Sequence, residues 1–382
     1  MLKLARRLRA SLPGKKTPLF DIHEQHDAKM TNFHGWQMPL QYNGLSIIES
    51  ALHTRRDASL FDVSHMGQLK ITGSNRIEFI ESLCVSDLQS LTLGQSRLTL
   101  MTNVEGGIVD DAIVTNKGDH LYMIVNAGCF DKDMEFIQER LDQFTGEVNI
   151  EVNDDRALLA LQGPAAAETL QSVLPALQLD KISFMSSVDT TFNNLAISVT
   201  RCGYTGEDGF EISIPDTGAA ALAEILLKSE KVKLAGLAAR DVLRIEAGLC
   251  LYGNDIDETT TPVEAGLAWT IGKRRREEGK FPGDEIILNQ LKNGTTRHRV
   301  GLLVTGPPAR EGAEIVNEKD EHVGVVSSGT FSPTLGKPVA MGYVKSSASE
   351  IGRSLKTIVR DKAHDAVITK LPFVKNNYFR IQ

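Results

Sequence analysis

The stretch Glu105–Thr115, EGGIVDDAIVT, joins a tight turn to a strand that carries two charges. The pair Gly106-Gly107 suits a turn, and the apolar, β-branched content of Ile108, Val109, Ile113 and Val114 suits a strand. Apolar residues fall on both faces, so the strand is expected to be buried on both sides. Asp110 and Asp111 are adjacent and therefore point to opposite faces, which puts at least one carboxylate in the interior. Burying an ionised carboxylate costs several kcal/mol unless something pairs with it. A purely structural use stays open at this point, with one Asp on a turn amide and the other on an arginine.

Working outward, 382 residues is too long for one compact core and implies two or three domains. A hydrophobic content of 41%, with 24% charged residues, belongs to an ordinary soluble protein. A net charge of −7 argues against nucleic acid as the main partner. No apolar run approaches the roughly 20 residues a membrane helix needs, so no membrane insertion is expected. Cys84, Cys129, Cys202 and Cys250 lie far apart, which fits free thiols in a reducing compartment and no zinc site. Residues 1–16, MLKLARRLRASLPGKK, hold six basic residues and no acid, with Leu2, Leu4, Leu8 and Leu12 able to share a helical face. That is the pattern of a mitochondrial transit peptide.

Upstream of the Asp strand, His23 and His26 have HxxH spacing but no third ligand at metal-site spacing, so no metal is expected. Leu45, Ile48 and Leu52 recur at helical intervals and predict an amphipathic helix over 45–58 with those residues inward. His65, in FDVSHMG, reads as a structural histidine. Residues 75–84 predict a second helix, capped by Ser74 or Asn75. Downstream, HLYMIVNAG forms a partner strand ending at Asn126, a helix follows over 131–144, and LLALQGPAAAETLQSVL reads strand, turn, helix. No GxGxxG or GxxxxGK[ST] occurs, so nucleotide binding is not expected. The mixture of helices and antiparallel hairpins is an α+β pattern.

Between two further strands lies GYTGEDG (203–209), whose glycines let backbone approach a ligand closely. Glu211 then puts a second carboxylate in an apolar strand. Over 234–251 a helix carries Arg240 and Arg244 among apolar neighbours; each needs a partner, either an internal acid or a ligand carboxylate. The run Lys273-Arg274-Arg275-Arg276 is expected to be solvated at a domain boundary, with an acidic protein partner as the alternative. Beyond Arg297, six short strands separated by Gly and Pro turns predict a small barrel or sandwich.

The motifs PLF, GWQMP, FDVSHMG, N-x-x-GGI-x-DD, LQGP, GYTGEDGFE, ARD-x-x-R-x-EAGL-x-LYG-x-D and SSGTFSPTLGK closely resemble those of the T-protein aminomethyltransferases of the glycine cleavage system. The resemblance covers residues 17–382. It implies an α+β, multi-domain cloverleaf around a central folate hole, with two α+β lobes over 17–280 and a C-terminal β-barrel domain over 290–382. It implies transfer of the aminomethyl carbon from the lipoyl arm of the H-protein to tetrahydrofolate, in the mitochondrial matrix. By position, Asp111 matches the catalytic carboxylate and Glu211 the acid that grips the pterin. Arg240 and Tyr378 match further folate contacts, and Met66, Asn126 and Tyr204 line the same hole. Leu98 and Leu249 stand where some members carry aromatic residues. A non-catalytic iron–sulfur assembly factor of the same fold is the alternative, but its KGC-x-x-GQE pattern is absent. A demethylase module of a flavoenzyme would need an attached dinucleotide-binding domain.

Overall fold

The computed structural model describes residues 14–381, so the expected leader lies outside the described residues except for its last three positions. Lys15–Lys16 pairs in parallel with Trp36 and Gln37. A three-stranded sheet of Lys15–Lys16, Trp36–Tyr42 and Ala28–Phe33 opens the fold.

Two larger sheets carry the first 250 residues. One has six strands, ordered Ser186–Phe192, Leu195–Arg201, Gly209–Pro215, Arg156–Gln162, Ala58–Asp62 and Val232–Leu234. The other has five, ordered Ser96–Thr102, Ile108–Asn116, Leu121–Val125, Gly67–Thr72 and Asn149–Val152. Period-two alternation explains how they meet. Leu159 and Leu161 turn to the helix-covered side with Phe210, Ile212 and Leu222. Leu158 and Ala160 turn the other way and share a core with Tyr122 and Ile124 of the five-stranded sheet and Val242 and Leu243 of the helix Leu237–Glu246. That shared apolar layer couples the two lobes.

All six C-terminal strands close into one barrel: Arg297–Val304, Lys337–Lys345, His322–Ser332, Glu314–Val316, Ser354–Val359 and Lys362–Thr369. Beyond it the chain returns to the first lobes. Val374 N donates to Glu246 O, Asn377 N to Gly206 O and Phe184 N to Phe379 O. The α+β reading and the barrel therefore hold, while the last dozen residues pack outside the barrel.

Two expectations fail on packing. The helix Ile47–Arg56 forms, with a Ser46–Glu49 capping box, but Ile48 and Leu52 are exposed along with Glu49 and Arg56. Ser50, Ala51 and Thr54 face inward because the helix lies tight against its neighbours; Thr54 Oγ1 bonds Ser50 O and Ser59 Oγ. Small side chains allow that approach where leucine does not. The basic run is solvated only at Lys273 and Arg276. It forms the helix Lys273–Glu278, in which Arg274 binds Glu81 and Asp87 while Arg275 is buried and donates to Glu81 O. Arg274 and Arg275 thereby join this helix to elements of the first lobes.

Candidate active site

A β-bulge precedes the aspartates: Met101 faces Asp110, but Thr102 faces Ile108. The extra residue re-aims the strand at this point. Asp110 is fully buried and turns toward the helix Phe130–Leu141, where Cys129 and Asp133 lie. Asp111 takes the opposite face and lies within electrostatic range of Tyr204 and Cys250. Asn126, just past the partner strand, reaches both. Its backbone N–H donates to Asp110 (3.0 Å), and Nδ2 donates to Asp110 Oδ1 (2.9 Å) and Asp111 Oδ1 (3.0 Å).

Part of Asp111 stays accessible, yet protein surrounds its carboxylate closely enough that burial, and then the charge of Asp110, push it up to about 7. The Asn126 bond opposes that rise without cancelling it. A carboxyl group with that pKa exchanges protons near neutral pH, as a general base requires.

The GYTGEDG turn is pinned from several directions. Arg55 donates to Thr205 O (2.5 Å), Glu207 (2.9 Å) and Glu246 (2.9 Å), and Arg201 holds Asp208 (2.8 Å). Gly203 is required because a Cβ there would lie 1.8 Å from Gln162 Oε1, and Gly206 because its φ is +79°. The turn sets Tyr204 against Arg240, whose guanidinium carbon lies 4.7 Å from the ring centroid. The Tyr204 hydroxyl donates to Cys250 O.

Glu211 follows in the strand Gly209–Pro215, opposite Ala160 on one side and Thr200 on the other. Burial raises its carboxyl pKa against the pull of Arg240 and the Cys202 thiol. Arg240 Nη1 is buried and has no hydrogen-bond partner. An unmet guanidinium N–H costs about 1–3 kcal/mol in a finished structure. It lies beside Glu211, a carboxylate that feels its charge. Arg244, one turn on, is different: it binds Asp255 (2.5 Å), Asp241 (2.9 Å) and Ser328 Oγ (2.8 Å). Of the two arginines, one is spent internally and one is open.

The remaining expected residues divide. Tyr378, delivered by the returning tail, stacks on Phe184 (centroids 4.0 Å apart, planes at 14°), and burial raises its hydroxyl to about 12. Its neighbour Asn377 donates to Glu207, which links the tail to the GYTGEDG turn. Met66 packs against the core shared by the two sheets. Leu98 pairs with Ile113, two residues beyond Asp111, and Leu249 N donates to Arg244 O. The HxxH histidine His23 is buried between Asp62 (2.8 Å) and the Tyr42 hydroxyl (2.9 Å), a structural use. His65 is also buried; burial lowers its pKa to about 4, and its Nδ1 lacks a partner. Sequence reasoning missed Cys202 beside Glu211, Arg55 behind the turn and Asp133 beneath the Asp strand. Asp133 sits in DKDMEF, which reads as the acidic first turn of a solvated helix, so no local signal identifies it.

With this geometry in place, similarity to known proteins is decisive. Residues 19–275 match the GCVT N-terminal domain and residues 297–375 the glycine cleavage T-protein C-terminal barrel domain. The chain belongs to the glycine cleavage T-protein family of aminomethyltransferases. It is 52% identical to the mitochondrial aminomethyltransferase of Gallus gallus, over 98% of this chain and 97% of that protein. It is also 52% identical to the Homo sapiens one, over 96% and 92%. The crystal structure of glycine cleavage system aminomethyltransferase T from Bartonella henselae superposes with a TM-score of 0.90, at 41% identity, covering 96% of this chain and 99% of that one. As a T-protein, the chain joins a mixed α+β region to a closed C-terminal barrel.

Proposed function

We propose that this T-protein transfers the methylene of the aminomethyl group carried by lipoylated H-protein to tetrahydrofolate in the mitochondrial matrix, giving 5,10-methylenetetrahydrofolate and ammonia. The donor carbon is held as S–CH2–NH2. Ammonia leaves with its bonding pair as one folate nitrogen bonds to the carbon. The C–S bond then breaks as the second folate nitrogen closes the ring. The two folate N–H protons end on ammonia and on the lipoyl thiol, so atoms and charge balance.

Asp111 is the group placed for the proton work. Near pH 7 its carboxylate accepts a proton from the attacking nitrogen and offsets positive charge developing there. Glu211 accepts from the amino-pyrimidinone edge of the pterin, since a carboxylate takes two parallel N–H bonds. Arg240 gives its unmet N–H to a folate acceptor, and Tyr204, Tyr378, Met66 and Asn126 line the same place. Holding the two substrates together supplies the larger part of the acceleration. The observation that carries this reading is the open Arg240 guanidinium beside Glu211, on the side of the fold where Asp111 is poised near neutrality. An assay of ammonia and methylenetetrahydrofolate from aminomethyl-loaded H-protein and tetrahydrofolate tests it. Failure to form either product overturns it.

A further inference from the structure

Asp133 is fully buried, and neither of its carboxylate oxygens has a hydrogen-bond donor. Its carboxyl nevertheless lies within hydrogen-bond reach of Asp110, which is itself fully buried. Two ionised carboxylates in that position would repel, and each would carry the cost of burial. Their contact becomes a bond only when one of them keeps a proton.

Which one keeps it follows from the neighbours. Asp110 accepts two N–H bonds from Asn126, so its oxygens already have donors. Asp133 has no such donor. The other groups facing the pair do not neutralise it. Cys129 bonds to Asp110 from the start of the same helix, and its thiol is raised by burial and by the two carboxylates. Lys132 lowers Asp133 through its charge but does not bond it; its ammonium goes to Val109 O (2.6 Å), the Tyr252 hydroxyl (2.5 Å) and Glu258 (3.1 Å), and burial outweighs its pull. Asp111, on the opposite face, adds a further negative charge.

We propose that Asp133 is a positioning residue: a neutral carboxylic acid that donates its proton to Asp110 and so fixes the Asp110–Asn126–Asp111 chain. Together with the Cys129 thiol, the arrangement gives Asp110 four donors, holds Asn126 by two bonds and leaves its Nδ2 aimed at Asp111. Burial and the charge of Asp110 raise Asp133 to about 10, so it stays protonated across the working range. The pair then carries one negative charge, which is the field that Asp111 feels.

This inference rests on the catalytic reading of Asp111, and infrared spectroscopy of the free enzyme separates the two. At pH 9, where Asp111 is ionised and Asp133 is not, the wild-type protein should show a protonated-carboxyl carbonyl stretch, shifted in D2O, that is lost in Asp133→Asn and retained in Asp111→Asn. In steady-state kinetics Asp133→Ala should lower kcat about 10-fold with little change in the folate KM, and Asp133→Asn, which keeps an N–H donor, should recover most of that loss. Because Asn replaces a neutral group by a neutral group, the acid limb of the Asp133→Asn rate profile should stay where the wild-type limb lies. A carbonyl band that survives in Asp133→Asn overturns the proposal. So does an acid limb that moves to lower pH, because that shift reports removal of a negative charge. Loss of the band together with normal turnover in Asp111→Asn would leave the carboxyl pair standing and refute the catalytic reading alone.

Discussion

Asn126 Nδ2 donates to Asp111 Oδ1 at 3.0 Å and to Asp111 O at 3.1 Å, and the bond to the carboxylate opposes the burial that raises the aspartate. A donor to a carboxylate favours the charged form. Asn126→Ala should therefore lift Asp111 further above about 7 and move the acid limb of turnover to higher pH, so that activity at pH 7 falls several-fold and recovers in alkali. A limb that stays put or moves down would show that the amide does not set the proton affinity of Asp111.

Asp111→Asn keeps the volume and part of the hydrogen bonding but removes the proton acceptor. Turnover should fall at least ~100-fold, the scale of general-base loss. Folate affinity should change far less, because the loss is confined to the transition state. Steady-state kinetics with aminomethyl-loaded H-protein, paired with folate titration, reads both quantities. Near-normal turnover refutes the assignment, and a larger loss in Asp110→Asn would mean that the wrong face of the strand was chosen.

Arg240 and Arg244 are one helical turn apart and should fail differently. Arg240 has an open N–H beside Glu211, whereas Arg244 is buried with Asp255. Arg240→Ala and Glu211→Ala should each weaken tetrahydrofolate binding about 10–100-fold, the ~1.5–3 kcal/mol of a charge-assisted hydrogen bond. Arg244→Ala should instead destabilise the fold by about 3–5 kcal/mol, because it strands a buried carboxylate. Calorimetric titration and chemical denaturation on the three variants separate the cases. Unchanged folate affinity in Arg240→Ala would make it a structural arginine like its neighbour.

Sequence patterns exposed the parts of this fold that have a local cause. Alternation and turn residues located all six barrel strands, and adjacency alone put Asp110 and Asp111 on opposite faces. The Ile47–Arg56 helix shows where that reasoning stops. Its period was right, but its buried side is chosen by how closely neighbouring backbone approaches, so Ala51 and Thr54 go inward and Ile48 faces out. The arginines show the same boundary. Sequence marked Arg240 and Arg244 alike, since both break an apolar pattern; only the tertiary position of Asp255 tells them apart. Asp133 lay beyond reach altogether, because an acid in a helix's first turn is normally solvated.

The His23–Asp62 pair offers a test of stability. Asp62 is buried, which raises its pKa, but the bonds from His23 Nε2 (2.8 Å) and Ser64 N (2.9 Å) outweigh burial and hold it at about 2. The unfolded reference is about 3.9. A folded pKa below the unfolded one contributes stability that is present above the unfolded value and lost as pH falls through the folded value. The full contribution is about 2–3 kcal/mol at neutral pH, of which about 1 kcal/mol should go between pH 5 and pH 3. Asp62→Asn cannot titrate, so its unfolding free energy should fall by about that much less than wild type over the same interval. Other carboxylates contribute equally to both proteins and cancel in the comparison. Urea denaturation at pH 5 and pH 3 on the two proteins measures the difference, and equal losses would show that Asp62 is not held in its charged form by the fold.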